Sequence, residues 1–150
     1  MTTLGTTFAN LLDDVATAMD SAGVTVPSVR YVHAGETAWD CEQFTLSFAN
    51  ITAQATRATP CPNIRTASAA FELVRCVPAW DGESAPDPSA LDAFGQEMAD
   101  AAVIMATSIV EALKDFGCTK VSFDGITVTG PIGGFVGLVG AFTIELAGIA

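Results

Sequence analysis

From Pro88 to Phe116 the apolar residues Leu91, Phe94, Met98, Ala101, Met105, Ile109, Leu113 and Phe116 recur at three- and four-residue spacing. That periodicity predicts one long amphipathic helix. Asp87-Pro88 supplies an N-cap followed by proline at the first helical position, and Gly117 supplies a stop. At 1.5 Å per residue such a helix runs roughly 40 Å, enough to cross a whole sheet. The remainder of the 150-residue chain must therefore build the surface on which this helix lies.

The other segments read as that surface. Thr3 to Ala22 predicts a first helix, with Leu4, Phe8, Leu11, Val15 and Met19 on one stripe and Gly23 as the stop. A short strand is expected over Ser28–His33 and a loop over residues 34–40. Phe44, Leu46 and Phe48 alternate with Gln43, Thr45 and Ser47, which predicts a long strand, Cys41–Ala55, with one buried and one polar face. Residues 56–66, with Pro60 and Pro62, read as a connecting loop. A second long strand is expected from Thr66 to Val77, antiparallel to the first. Arg75 falls on its apolar face, which places it near an end or in a partner contact. Pro78–Asp87 reads as an acidic loop. Asp124-Gly125 matches the preferred two-residue hairpin turn between Cys118–Phe123 and Ile126–Thr129.

The closing stretch begins with the turn Gly130-Pro131-Ile132-Gly133-Gly134 and continues as a strand with Val136, Leu138, Phe142, Ile144 and Leu146 toward the core. The expected order is α-β-β-β-α-β-β-β. That is an α+β domain over residues 1–150, a mixed, mostly antiparallel sheet with two helices packed on one face.

Length allows one domain with a real core. Composition is 50% hydrophobic and 15% charged, globular rather than disordered. Net charge is −11, and the six basic residues are scattered, so no grip on a phosphate backbone is expected. The N-terminus lacks a basic start, so no secretory signal is expected. Ile126–Ile144 is uncharged, with Gly133 and Gly137 in GxxxG spacing, but Pro131, the threonines and the missing flanking cations favour a glycine-rich core strand over a membrane span.

Candidate chemistry is sparse. The glycines at 133, 134 and 137 lead into a strand, whereas a phosphate loop leads into a helix N-terminus. Cys41, Cys61, Cys76 and Cys118 have no metal-ligand spacing, and His33 is the single histidine, so buried reduced thiols are expected, with a Cys41–Cys61 bridge as the first alternative, and no metal or cofactor. A cysteine enzyme would need a thiolate beside His33, a weaker reading than a structural role. Trp39 and Trp80 stand in expected loops beside acids. Each either folds back as a lid on the core or anchors an interface.

Taken together, the order of elements resembles the tail-terminator (tail-completion) proteins of long-tailed siphophages, particularly those of actinobacterial hosts. The resemblance is carried by the amphipathic N-terminal helix and by the strand Ala70-Phe71-Glu72-Leu73-Val74-Arg75-Cys76-Val77-Pro78. It is carried further by the Pro/Asp loop before the long helix and by Gly130-Pro131-Ile132-Gly133-Gly134-Phe135-Val136-Gly137 before the last strand. It implies a structural virion protein, not an enzyme, in the tail or neck and assembled in the host cytoplasm. It implies a homo-hexameric ring that ends tail-tube growth, meets the tube protein and a head-completion or stopper protein, and passes DNA without binding it. Terminators often carry a more charged last strand, whereas this one carries only Glu145. Another neck component, such as a stopper or connector, therefore stays open, as does a small ligand-binding α+β module with a pocket between sheet and long helix. Within the ring reading, Asp81 and Glu83 are expected at the channel or a ring partner, and Arg57 and Arg65 at a neighbour's acids.

Overall fold

The computed structural model describes residues 3–36, 38–40, 42–56, 59–78, 87–114 and 120–147, with side chains described outside 53–65 and 146–147. Among these are two helices and five strands: α1 (Leu4–Ser21), β1 (Arg30–Ala34), β2 (Gln43–Thr56), β3 (Thr59–Cys76), α2 (Pro88–Lys114), β4 (Lys120–Ile132) and β5 (Phe135–Ala147). The fold is α+β, with one mixed sheet in the order β1-β2-β3-β5-β4. β1 runs parallel to β2, and every other neighbour is antiparallel.

Helix α1 starts where its sequence signals a cap. Thr3 Oγ1 accepts the Thr6 N–H at 3.2 Å, and the chain leaves the helix through Gly23 at φ 99°. Asp20 then anchors the connection to β1, accepting the Val26 N–H at 2.9 Å and facing Arg30 Nη2 at 3.3 Å. Asp87 starts α2 in the same way, accepting the Ser89 N–H at 3.2 Å.

Both helices lie on one face of the sheet. The ring of Phe8 on α1 stacks on Phe48 of β2 at 5.8 Å, and Ile109 of α2 lies over Gly140 of β5. Between helices and sheet, the rings of Phe44, Phe71 and Phe142 stack in series across β2, β3 and β5, at 5.9 and 5.4 Å. Met19, Met105, Leu46, Leu73, Leu138 and Ile144 complete the fully buried layer. Of the residues expected toward the core along the closing strand, Leu138, Phe142 and Ile144 are buried and Val136 packs half-buried against them, while the side chain of Leu146 lies outside the described residues.

Three expectations about the strands are corrected. Asp124-Gly125 is not a hairpin turn. β4 runs through it, and Phe123 and Ile126 pair with Phe142 and Gly140, so two residues oppose one as a β-bulge. Gly125, at φ 89°, supplies the backbone this needs. The reversal comes instead at Gly133-Gly134, both at positive φ, between the paired residues Ile132 and Phe135. The chain therefore has five strands among its described residues, and the expected sixth is the second half of β4.

Residues 59–65 are not loop. β3 begins at Thr59 and carries Pro60 and Pro62. The last described pair of β3 and β5 is Ile64–Ala147, so both prolines lie beyond the described part of that ladder. The third correction concerns the face of the sheet opposite the helices. Gln43 and Thr45 were expected on a polar surface, yet both are fully buried, as is Val74 on the same face. The Gln43 side chain donates to the Ala38 carbonyl at 3.2 Å, within the connection from β1 to β2 that turns back across this face.

Candidate assembly surface

Of the residues singled out in the sequence, Trp39 is described in full. It sits half-buried in the connection from β1 to β2. Its indole lies so close to Gly137 of β5 that a Cβ there would come within 2.6 Å of the ring. This is the folded-back arrangement, on the face opposite the helices. The backbone of Arg65 belongs to β3, paired with Ala53 and Leu146, but its side chain lies outside the described residues. Arg57, Trp80, Asp81 and Glu83 lie outside them too.

Arg75 stands where its place on an apolar face demanded, near the end of β3. Its guanidinium donates to the Thr25 carbonyl and approaches Glu42 at 3.9 Å. Cys76 beside it is exposed and free, contrary to the expected burial, because it pairs at the last step of the ladder with Phe135. Cys41, Cys61 and Cys118 fall outside the described side chains. His33 Nδ1 lies 3.3 Å from the Gly35 carbonyl oxygen, and its ring meets Tyr31 edge-on. Among the described residues, no group of three or more His, Cys, Asp and Glu could hold a metal ion. Among the described residues, no helix is long and apolar enough to cross a membrane.

The sheet itself carries the feature that sequence periodicity did not reveal, because it depends on strand order. Both of its edges are open among the described residues. At one edge β1 covers β2 only from Phe44 to Phe48. Beyond that level β2 continues to Thr56 with its outer side uncovered. At the other edge the whole 13-residue β4 has a partner on one side only. Exposed edges are normally blunted by charge, proline or a bulge. β4 is interrupted by its bulge at Asp124-Gly125 and blunted by Pro131, which leaves two regular stretches, Lys120–Phe123 and Ile126–Thr129.

Exposed large apolar side chains lie both on α2, at Leu91, Val103 and Val110, and at these edges. Val29 and Tyr31 lie at β1 and Ile51 on the uncovered part of β2, while Val121, Val128 and Ile132 lie on β4. Beside β4, Val110 and Leu113 of α2 and Val121 and Phe123 form the walls of a groove of about 330 Å³, with Lys114 at its margin. A second cleft, about 450 Å³, lies between the turn after α1 and α2, with Arg75, Glu97 and Asp100 among its lining residues.

No known family model matches the sequence, and no curated protein does.

Proposed function

We propose that this chain is a structural virion subunit of a long-tailed phage, a tail terminator that closes into a hexameric ring on the end of the tail tube. The observation that supports it best is the pair of sheet edges open among the described residues, on a sheet whose two helices lie on one face. A subunit with two different uncovered edges is suited to head-to-tail association, and such contacts close into rings when the rotation per subunit allows. The order of elements adds the phage reading through its resemblance to terminators.

The ring's work is mechanical. Its subunits bind the last tube layer, block further addition and present the opposite surface to a head-completion or stopper protein. DNA must pass without being held. A chain with net charge −11 suits that passage, because a surface acidic overall repels the phosphate backbone. Glu145 stands on the helix-free face, at a position that adds to that repulsion where this face lines the channel. Asp81 and Glu83 are assigned to the channel or to a ring partner, and Arg57 and Arg65 to a neighbour's acids.

Tail length tests the reading. A phage deprived of this chain is expected to make tails of unregulated length that do not join heads, and supplying the chain restores a single length in electron micrographs. Uniform tails with unjoined heads would reassign it to another neck component. The groove of about 330 Å³ beside α2 supports the second reading, a small binding module, since ligand sites begin at roughly this size. A monomer that binds an apolar probe in that groove, with no effect on tails, would favour it.

A further inference from the structure

Three successive rows cross all five strands of the sheet without irregularity, from β1 to β4. They run Arg30–Phe44–Leu73–Leu138–Val128, Tyr31–Thr45–Glu72–Val139–Thr127 and Val32–Leu46–Phe71–Gly140–Ile126. The first and third lie on the helix side, where Phe44, Leu73, Leu138, Leu46 and Phe71 are fully buried. The middle one lies on the helix-free face and ends in the exposed Tyr31 and Thr127. Every one of these rows therefore begins on one edge strand and ends on the other.

From these rows we infer that Arg30–Val32 of one copy and Ile126–Val128 of the next form a head-to-tail contact, β1 against β4. The inference rests on the ring reading and names the contact that reading requires. Strand direction permits it. β1 and β4 run in opposite senses within the sheet, so a neighbour in the same orientation lays its β4 antiparallel against β1. The outer side of β1 is prepared for it. The Phe44 N–H donates to the Val29 carbonyl at 2.9 Å, and the Gly35 N–H to the Phe48 carbonyl at 3.0 Å. Odd-numbered residues thus bond to β2, and Arg30, Val32 and Ala34 turn their N–H and C=O groups outward. The faces also agree. Val32 meets Ile126 on the helix side, where both pack at the margin of the core, and Tyr31 meets Thr127 on the other.

Among the described residues the lane beside β1 is clear. The chain leaving β1 crosses the helix-free face, where Gln43 donates to the Ala38 carbonyl and Trp39 reaches Gly137. The chain entering β1 passes the end of the sheet, where the Thr25 carbonyl meets Arg75 of β3. Past Ala34 the sheet recedes by one strand to β2, so a β4 longer than β1 overruns it without meeting another strand. Charge points the same way. These six positions hold no acid, and their one charge, Arg30, holds Asp20 at 3.3 Å, so two acidic chains can approach here. Closure fits a channel. Six copies of five strands, at about 4.8 Å each, make a sheet about 140 Å around and roughly 45 Å across with its strands along the axis. With the helices outside, the helix-free face lines that space.

The experiment places cysteines at both ends of the middle row in one chain, Tyr31→Cys with Thr127→Cys. The chain is oxidised alone and with tail tubes added. Denaturing gels are compared with wild type and each single variant, which report the background from native cysteines. A ladder ending at the hexamer, present only in the double variant, is the expected result. A ladder ending elsewhere, or running on without limit, keeps this contact and removes the hexameric ring. No ladder above background in either condition overturns the contact. Light scattering on the same samples then separates the two readings, since a hexameric mass leaves the ring to another surface and a monomer removes both. Charge gives a second measurement. Tyr31→Glu with Thr127→Glu sets like charges opposite one another across the boundary, and is expected to abolish assembly while keeping the wild-type melting profile. Tyr31→Lys with Thr127→Glu is expected to assemble as wild type does. Undiminished assembly of the two-glutamate chain also overturns the contact.

Discussion

Gly137 and Gly140 serve the sheet by what they lack. A Cβ at Gly140 would lie 2.8 Å from Ile109 Cδ1, so the missing side chain lets α2 settle onto β5. A Cβ at Gly137 would meet the ring of Trp39 instead, on the opposite face. Small residues in the closing strand invited a phosphate-loop reading in sequence, and their packing gives them a different reason. Gly137→Val is expected to lift Trp39 off β5. In a Trp80→Phe background, fluorescence should shift to the red, and urea denaturation should show a loss of about 1–3 kcal/mol, typical of overpacking. Emission unchanged from the parent would mean that the indole does not rest on Gly137. The neighbouring buried Thr45 hydroxyl, which has no hydrogen-bond partner among the described residues, lies on the same face, and the structure gives no account of it.

At the scale of elements, the helices were legible because their signals are local. The spacing of Phe8, Leu11, Val15 and Met19, or of Met98, Met105 and Ile109, marks a face, and Thr3, Gly23 and Asp87 mark the ends. The strands were legible in their alternation but not in their extent. Asp124-Gly125 satisfies the local rule for a tight turn, yet a turn there would pull Ile126 and Val128 away from β5. The bulge keeps those residues paired, and Gly133-Gly134 makes the reversal without Cβ strain. Gly134→Val is therefore expected to cost roughly 1–3 kcal/mol for forcing a β-branched residue to positive φ. Gly133→Asn, which the same turn accepts, should lie within about 1 kcal/mol of wild type. Chemical denaturation of the two variants checks this, and equal stability would place the turn elsewhere. The candidate surface was less legible still. Nothing in the spacing of residues 30–32 and 126–128 tells that they end the same rows, because that depends on β5 inserting between β3 and β4.

For the whole molecule, the account joins one sheet, helices on one face, two open edges and a strongly acidic chain into a ring subunit. Net charge opposes association, so contacts between copies must be locally neutral or basic. Part of the exposed apolar surface, Val29, Tyr31, Ile51, Val121, Val128 and Ile132, lies at the strands that end the sheet, and the rest, Leu91, Val103 and Val110, lies on α2. Oligomeric mass tests this most directly. Size-exclusion chromatography with light scattering, on the purified chain alone and with tail tubes added, is expected to find a species of six times the 15.4 kDa chain mass. A single monomeric or dimeric species under both conditions would contradict the account.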